Sequence, residues 1–153
     1  MNQRIRQLIA VLEVGGGVAG VALVSMVGTA GGLRLWHRFL LGLTGLVFVL
    51  CAYAGRELWR NQPRGYALSM VVQAGQVVAW SSPQALYVFY CGASLGAWYG
   101  STTLAPMAGI GSHLTASWAT EPRAEAFGLN FLALWALWQL TRGWQSNRGT
   151  AKP

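Results

Sequence analysis

From Phe39 to Gly55 the chain reads FLLGLTGLVFVLCAYAG, an apolar run without a charged side chain. Such a run approaches the roughly 20 residues that a helix needs to cross a bilayer. Three further stretches resemble it, one between Leu8 and Leu33, one through YALSMVVQAGQVVAW to Trp80, and one through AFGLNFLALWALWQL. Charged residues make up only 10% of the 153 positions, and every acidic residue is Glu. A soluble domain carries about 25% charged residues to cover its surface, so a soluble globular enzyme is excluded. Disorder is excluded by the 54% hydrophobic content and the eight Trp.

The net charge of +7 and pI near 10.3 do not indicate nucleic acid, because the basic residues form no stripe. They fall in clusters between the apolar runs: Arg4 and Arg6, Arg34 and Arg38, Arg56, Arg60 and Arg64, then Arg142, Arg148 and Lys152. That is how loops between membrane spans are charged. The spacing predicts an all-α integral membrane protein, a four-transmembrane-helix bundle with spans at about 8–33, 39–59, 63–80 and 122–144. Asn61 before Pro63 reads as an N-cap, and Thr120-Glu121-Pro122 reads the same way for the last span. Trp36, Trp59, Trp80, Trp118 and Trp144 fall near predicted span ends, where amphipathic rings prefer the interface. Four spans with the N-terminus inside leave Arg34, Arg38 and Arg123 outside and all other basic residues inside, so both termini are expected to be cytoplasmic. Gly28-Thr29-Ala30 has the small residues of a signal-peptide cleavage site, but the apolar stretch before it is too long and contains Glu13, so a retained helix is expected.

The outer segment 81–119 holds one ionisable side chain besides Tyr and Cys, His113. Three readings compete: a β-hairpin, a re-entrant element or a fifth helix. β-branched and aromatic enrichment favours a small extracytoplasmic apolar cap built on a hairpin, with strands Leu86–Cys91 and Leu95–Ser101 around Gly92-Ala93-Ser94. No internal repeat marks the chain as an inverted-repeat transporter.

Glu13 is the first candidate for function, since an ionisable residue inside a span is costly unless paired or hydrated. Gln73 and Gln76 share one face of the third span and lie at a similar depth, so the three form a candidate intramembrane polar site. It reads either as a proton or cation site or as interhelical hydrogen bonding. Gly16 and Gly20 form a small-xxx-small pair that lets helices pack closely, within the bundle or across a dimer. Asn130 and Gln139 read as interhelical partners. Cys51 and Cys91 are placed on opposite sides and so are not expected to pair. His37 and His113 lack the neighbours of a metal site. No catalytic residue, metal site or cofactor is indicated, and no nucleic-acid partner.

Leu12-Glu13-Val14-Gly15, early in the first span, resembles the membrane-embedded Glu of small multidrug-resistance exporters. That resemblance covers about five residues and implies that Glu13 is the shared proton and cation-substrate site of an antiporting dimer. This chain departs from the family in its length and in the large outer segment between its last two spans. The leading expectation is a non-enzymatic accessory or scaffold subunit of a bacterial inner membrane, with the lipid bilayer and a membrane protein or a second copy as partners. The bacterial assignment rests on the preponderance of Arg over Lys. The alternative is a homo-oligomeric small transporter or channel with Glu13 as its proton or cation site.

Overall fold

The computed structural model describes residues 1–29, 34–100, 102–118 and 124–150. Two long helices, α1 (Gln3–Thr29) and α2 (Leu35–Trp59), precede a shorter α3 (Pro63–Val77). Four strands follow, β1 (Val78–Ser81), β2 (Ala85–Gly100), β3 (Thr103–Trp118) and β4 (Ala126–Asn130), and α4 (Phe131–Thr150) ends the fold.

This corrects the expected four-transmembrane-helix bundle: among the described residues, only α1 and α2 are long and apolar enough to cross a membrane. α3 has 15 residues, about 22 Å at 1.5 Å per residue, against a hydrocarbon core of about 30 Å. It stops because Val78 takes up extended backbone (φ −109°, ψ 132°). The β-branched and aromatic run Val77-Val78-Ala79-Trp80 suits a pleated surface better than a helix. The fourth expected span begins too early. Ala126–Asn130 pairs with β1 and β2, and the helix starts one residue later because Asn130 is its true cap. The Asn130 Oδ1 accepts the Ala133 N–H at 3.2 Å, the N-cap to N3 bond. The expected cap at Thr120–Pro122 lies outside the described residues, as do Ala30, Arg123 and Lys152.

The expected hairpin is also displaced. Gly92 has the positive φ (97°) that a turn would use, yet β2 continues through it to Gly100. The chain reverses instead between Gly100 and Thr103, which pair as the first rung of a ladder extending to Ala85↔Trp118. All pairings are antiparallel, in the order β1-β4-β2-β3, and β1 also pairs with the start of β2 at Trp80↔Tyr87 and Ser81↔Leu86. Nor is the strand segment a cap resting on helix ends, because β2 crosses the middle of α1.

α1 and α2 form an antiparallel pair along a seam of small residues. A Cβ on Gly17 would lie 2.6 Å from the Ala52 N, one on Gly20 2.2 Å from the Phe48 ring, and one on Gly55 2.7 Å from the Ala10 O. Such seams let helix backbones approach closely. The turn into α3 is a Schellman motif, with the Gln62 N–H donating to the Glu57 O at 3.0 Å and Asn61 left-handed at φ 58°. Asn61 thus ends α2 rather than capping α3, whose N-cap is Gln62. The Asn61 Oδ1 accepts Arg6 Nη1 at 2.5 Å and the Tyr66 hydroxyl at 3.0 Å. Met1 and Tyr66 pack at Gly143, so the start of α1, the α2–α3 turn and the later part of α4 meet at one end. One buried cluster, Ile9, Ala10, Leu58, Tyr66, Ala136 and Leu140, draws on all four helices. A second, Phe48, Cys51, Ala54, Val72, Phe89 and Cys91, joins α2 and α3 to β2.

α1 and β2 approach each other backbone to backbone. A Cβ on Gly16 would lie 2.1 Å from the Gly92 N, and one on Gly92 2.3 Å from the Leu12 O. Both obstacles are backbone, which cannot give way locally. Gly16→Ala is therefore expected to destabilise the fold by about 3 kcal/mol or more, the upper end of overpacking costs. Gly15→Ala, whose Cβ would meet nothing within 4 Å, is expected to stabilise by up to about 1 kcal/mol through helix propensity. Thermal unfolding of both variants in micelles checks the pair.

Candidate functional site

The α1–β2 crossing sets the depth of Glu13, which lies three residues before Gly16 and is fully buried. Its carboxylate faces α3. One oxygen accepts the Ser69 hydroxyl at 2.6 Å and the other accepts Gln73 Nε2 at 2.9 Å. Ser69 and Gln73 are four apart, so both project from the same face of α3. The structure therefore brings Glu13 and Gln73 together and adds Ser69, which the sequence reading missed. The signal was the i, i+4 spacing of Ser69 to Gln73.

Gln76 is buried close by but does not bond Glu13. Its Oε1 accepts the Cys91 backbone N–H at 2.9 Å, and its Nε2 has no partner among the described residues. The Cys91 thiol donates to the Glu13 backbone O at 3.7 Å, and the Ser112 hydroxyl to the Gly16 O. Residues from α1, α3, β2 and β3 thus converge on about one turn of α1. Cys51 lies in the same buried cluster as Cys91, and both are free thiols. This overturns the expectation that the two lie on opposite sides, because β2 packs beside α2.

The expected helix-packing pair divides between two partners. Gly20 receives the Phe48 ring of α2, while Gly16 receives the backbone of β2. Asn130 works as a strand tie as well as a helix cap, since its Oδ1 also accepts the Leu95 N–H at 3.2 Å. His113 hydrogen-bonds Thr115 at 2.9 Å and stacks on Tyr90, with ring centroids 5.5 Å apart; His37 is exposed on α2. Among the described residues no three His, Cys, Asp or Glu side chains converge as a metal site would require. The second buried carboxylate, Glu57, was not singled out in the sequence. It accepts Arg64 Nε at 2.5 Å, and this hydrogen bond, followed by the carboxylate's charge, raises the Arg64 pKa above its ordinary value, fixing the α2–α3 junction.

Chemically, the cluster holds a carboxylate by two neutral donors in a buried setting. The cavity lined by Gln73, Cys91, Leu12 and Trp135 measures about 20 Å³, room for about one water molecule. Comparison of the chain with protein-family models, curated proteins and solved structures gives no match.

Two substitutions separate geometry from charge. Glu13→Gln preserves shape and one acceptor, and Gln73 can turn its own amide to receive the new N–H, so a cost of about 1 kcal/mol is expected. Glu13→Leu leaves Ser69 and Gln73 buried without an acceptor, and about 2–4 kcal/mol is expected from the two orphaned groups. Gln76→Leu strands one N–H on β2 and should cost about 1–3 kcal/mol. Chemical or thermal unfolding of the three variants ranks them, and equal losses for Gln and Leu at position 13 contradict the tie.

Proposed function

We propose that this chain is a small membrane protein, anchored by the α1–α2 pair, that acts by binding within the membrane and not by chemistry, as an accessory or scaffold subunit. The observation that carries this reading is an exposed apolar face on the β2–β3 ribbon. Leu95, Tyr99, Leu104 and Ile110 share that face by strand alternation and register, and are 58%, 63%, 73% and 94% exposed. Contiguous apolar surface of this kind marks a protein or lipid contact.

The helices support the membrane part of the reading. Leu8, Val11, Val18, Leu23 and Met26 of α1 are exposed, as are Leu35, Phe39, Leu43, Leu46 and Val49 of α2. Between the two helices runs an open groove lined by Ala10, Val14, Gly15, Ala52 and Tyr53, ending at Arg56, Trp59 and Arg60. An apolar groove closed by Trp and Arg matches an acyl chain below an interface. Arg4, Arg6, Arg60 and Arg64 lie at that same end, which in this reading is the cytoplasmic side of a bacterial inner membrane, with both termini on it.

A second reading, a homo-oligomeric transporter or channel with Glu13 on its path, draws on one observation: no cationic side chain pairs with the buried carboxylate among the described residues. Two measurements test these readings. Alkaline carbonate is expected to leave the chain in the membrane pellet; release into the supernatant contradicts the anchor. In proteoliposomes, Glu13→Gln is expected to change no proton-coupled flux above background, whereas abolition of a measurable wild-type flux establishes the second reading over the first.

A further inference from the structure

The sheet satisfies its backbone in an uneven way. β1 and β4 each pair on both sides, while β3 pairs with β2 alone. β2 has β1 and β4 beside its two ends on the edge opposite β3, and between them it has no strand neighbour. There side chains take over, with the Cys91 N–H donating to Gln76 Oε1 and the Leu95 N–H to Asn130 Oδ1. Two of the backbone N–H groups on that side are thus met by buried amides.

The same two bonds fix which way β3 faces. Cys91 and Leu95 turn their N–H groups away from β3, and they stand opposite Ser112 and Ala108. In an antiparallel ladder both members of such a pair face away from each other. By alternation Leu104, Pro106, Ala108, Ile110 and Ser112 present their backbone groups at the outer edge of β3. Pro106, which has no N–H to offer β2, fits that position. No strand lies against this edge among the described residues.

Depth makes the open edge significant. Ser112 donates to the Gly16 O, halfway along α1. Leu114 and Thr115 line a groove with Leu40, Leu43, Thr44 and Val47 of α2. If α1 and α2 span the bilayer, on which this inference rests, the edge lies at hydrocarbon depth. Open sheet edges do not occur there, because each unpaired group costs several kcal/mol.

We propose that β3 is a self-association edge: two copies of this chain pair antiparallel along β3 and merge their four-stranded sheets into one continuous sheet. The need for cover is present in every molecule, so the occupant must be available one-to-one, as a second copy always is. The strand is chemically self-compatible, since Thr103–Trp118 contains no charged residue and its only imidazole is engaged with Tyr90 and Thr115. No like charges meet when it is laid against itself. A two-fold pairing of this kind is closed and removes both open edges at once.

The test is native mass spectrometry of the full chain released from nanodiscs, after alkaline carbonate has shown that it is membrane-embedded. Twice the 16.5 kDa of one chain is expected, falling to a single chain in Ile110→Lys, which places a charge beside the edge. In a Cys51→Ala, Cys91→Ala background, at least one of Leu104→Cys, Ala108→Cys and Ile110→Cys should form a disulfide-linked dimer on oxidation, while Val18→Cys on the exposed face of α1 should not. A wild-type monomer overturns the proposal, as does a dimer with no cross-link through any of the three β3 positions. If Ile110→Lys fails to accumulate, the cross-links decide alone. A one-to-one complex with a different protein also overturns self-pairing and leaves the membrane-binding reading standing, whereas release by carbonate removes that reading first.

Discussion

Everything in this fold is hung on the contact between two glycines. Where β2 passes α1, Gly16 and Gly92 bring backbone against backbone with no room for a Cβ on either side. That proximity puts the Cys91 thiol within reach of the Glu13 carbonyl and the Ser112 hydroxyl within reach of the Gly16 carbonyl. It also leaves α3 on the remaining side of Glu13, where Ser69 and Gln73 complete the carboxylate's bonds. Here small residues on both make the approach affordable.

Around that crossing several buried polar groups take their partner from a different element, although Gln76 Nε2 has none among the described residues. Glu13 of α1 is held from α3, Cys91 of β2 from α3, and Leu95 of β2 from the residue that starts α4. Buried polar groups cost free energy unless bonded. Their partners therefore act as specificity devices, fixing which face of α3 meets α1 and how far α4 begins from β2. Glu57 plays the same part at the opposite end, bonding Arg64 across the α2–α3 turn.

Much of the helical part was legible. The charge-free run from Phe39 to Gly55 marks α2, Pro63 marks the start of α3, and the shared depth of Glu13 and Gln73 anticipates their contact. Gly16 and Gly20 announced close packing without naming the partner, because a glycine reports only that something is near. The strands were hard to read for a physical reason. Ala126–Asn130 is apolar and runs directly into apolar α4, so hydropathy joins them into one span, and only the pairing with residues near Val78 separates them. Likewise Gly92 signals positive φ, but a turn and a bent strand both use it, and the choice is made by α1. Gln76 looked like a neighbour of Glu13 because helix spacing says which side chains share a face and nothing of what strand lies opposite.

The register Val78↔Leu129 has a consequence in time. α1, α2 and α3 are local elements and can assemble as soon as they leave the ribosome. β2 and β3 can also pair locally, but β1 and the far part of β2 wait for β4 to complete their pairing, and the Leu95 N–H waits for Asn130. Closing so long a loop costs entropy before any bond repays it. Until β4 is made, the helices and the β2–β3 ribbon therefore lack the strand that closes the sheet. The short stretch that ends at Asn130 is what turns this intermediate into a finished fold.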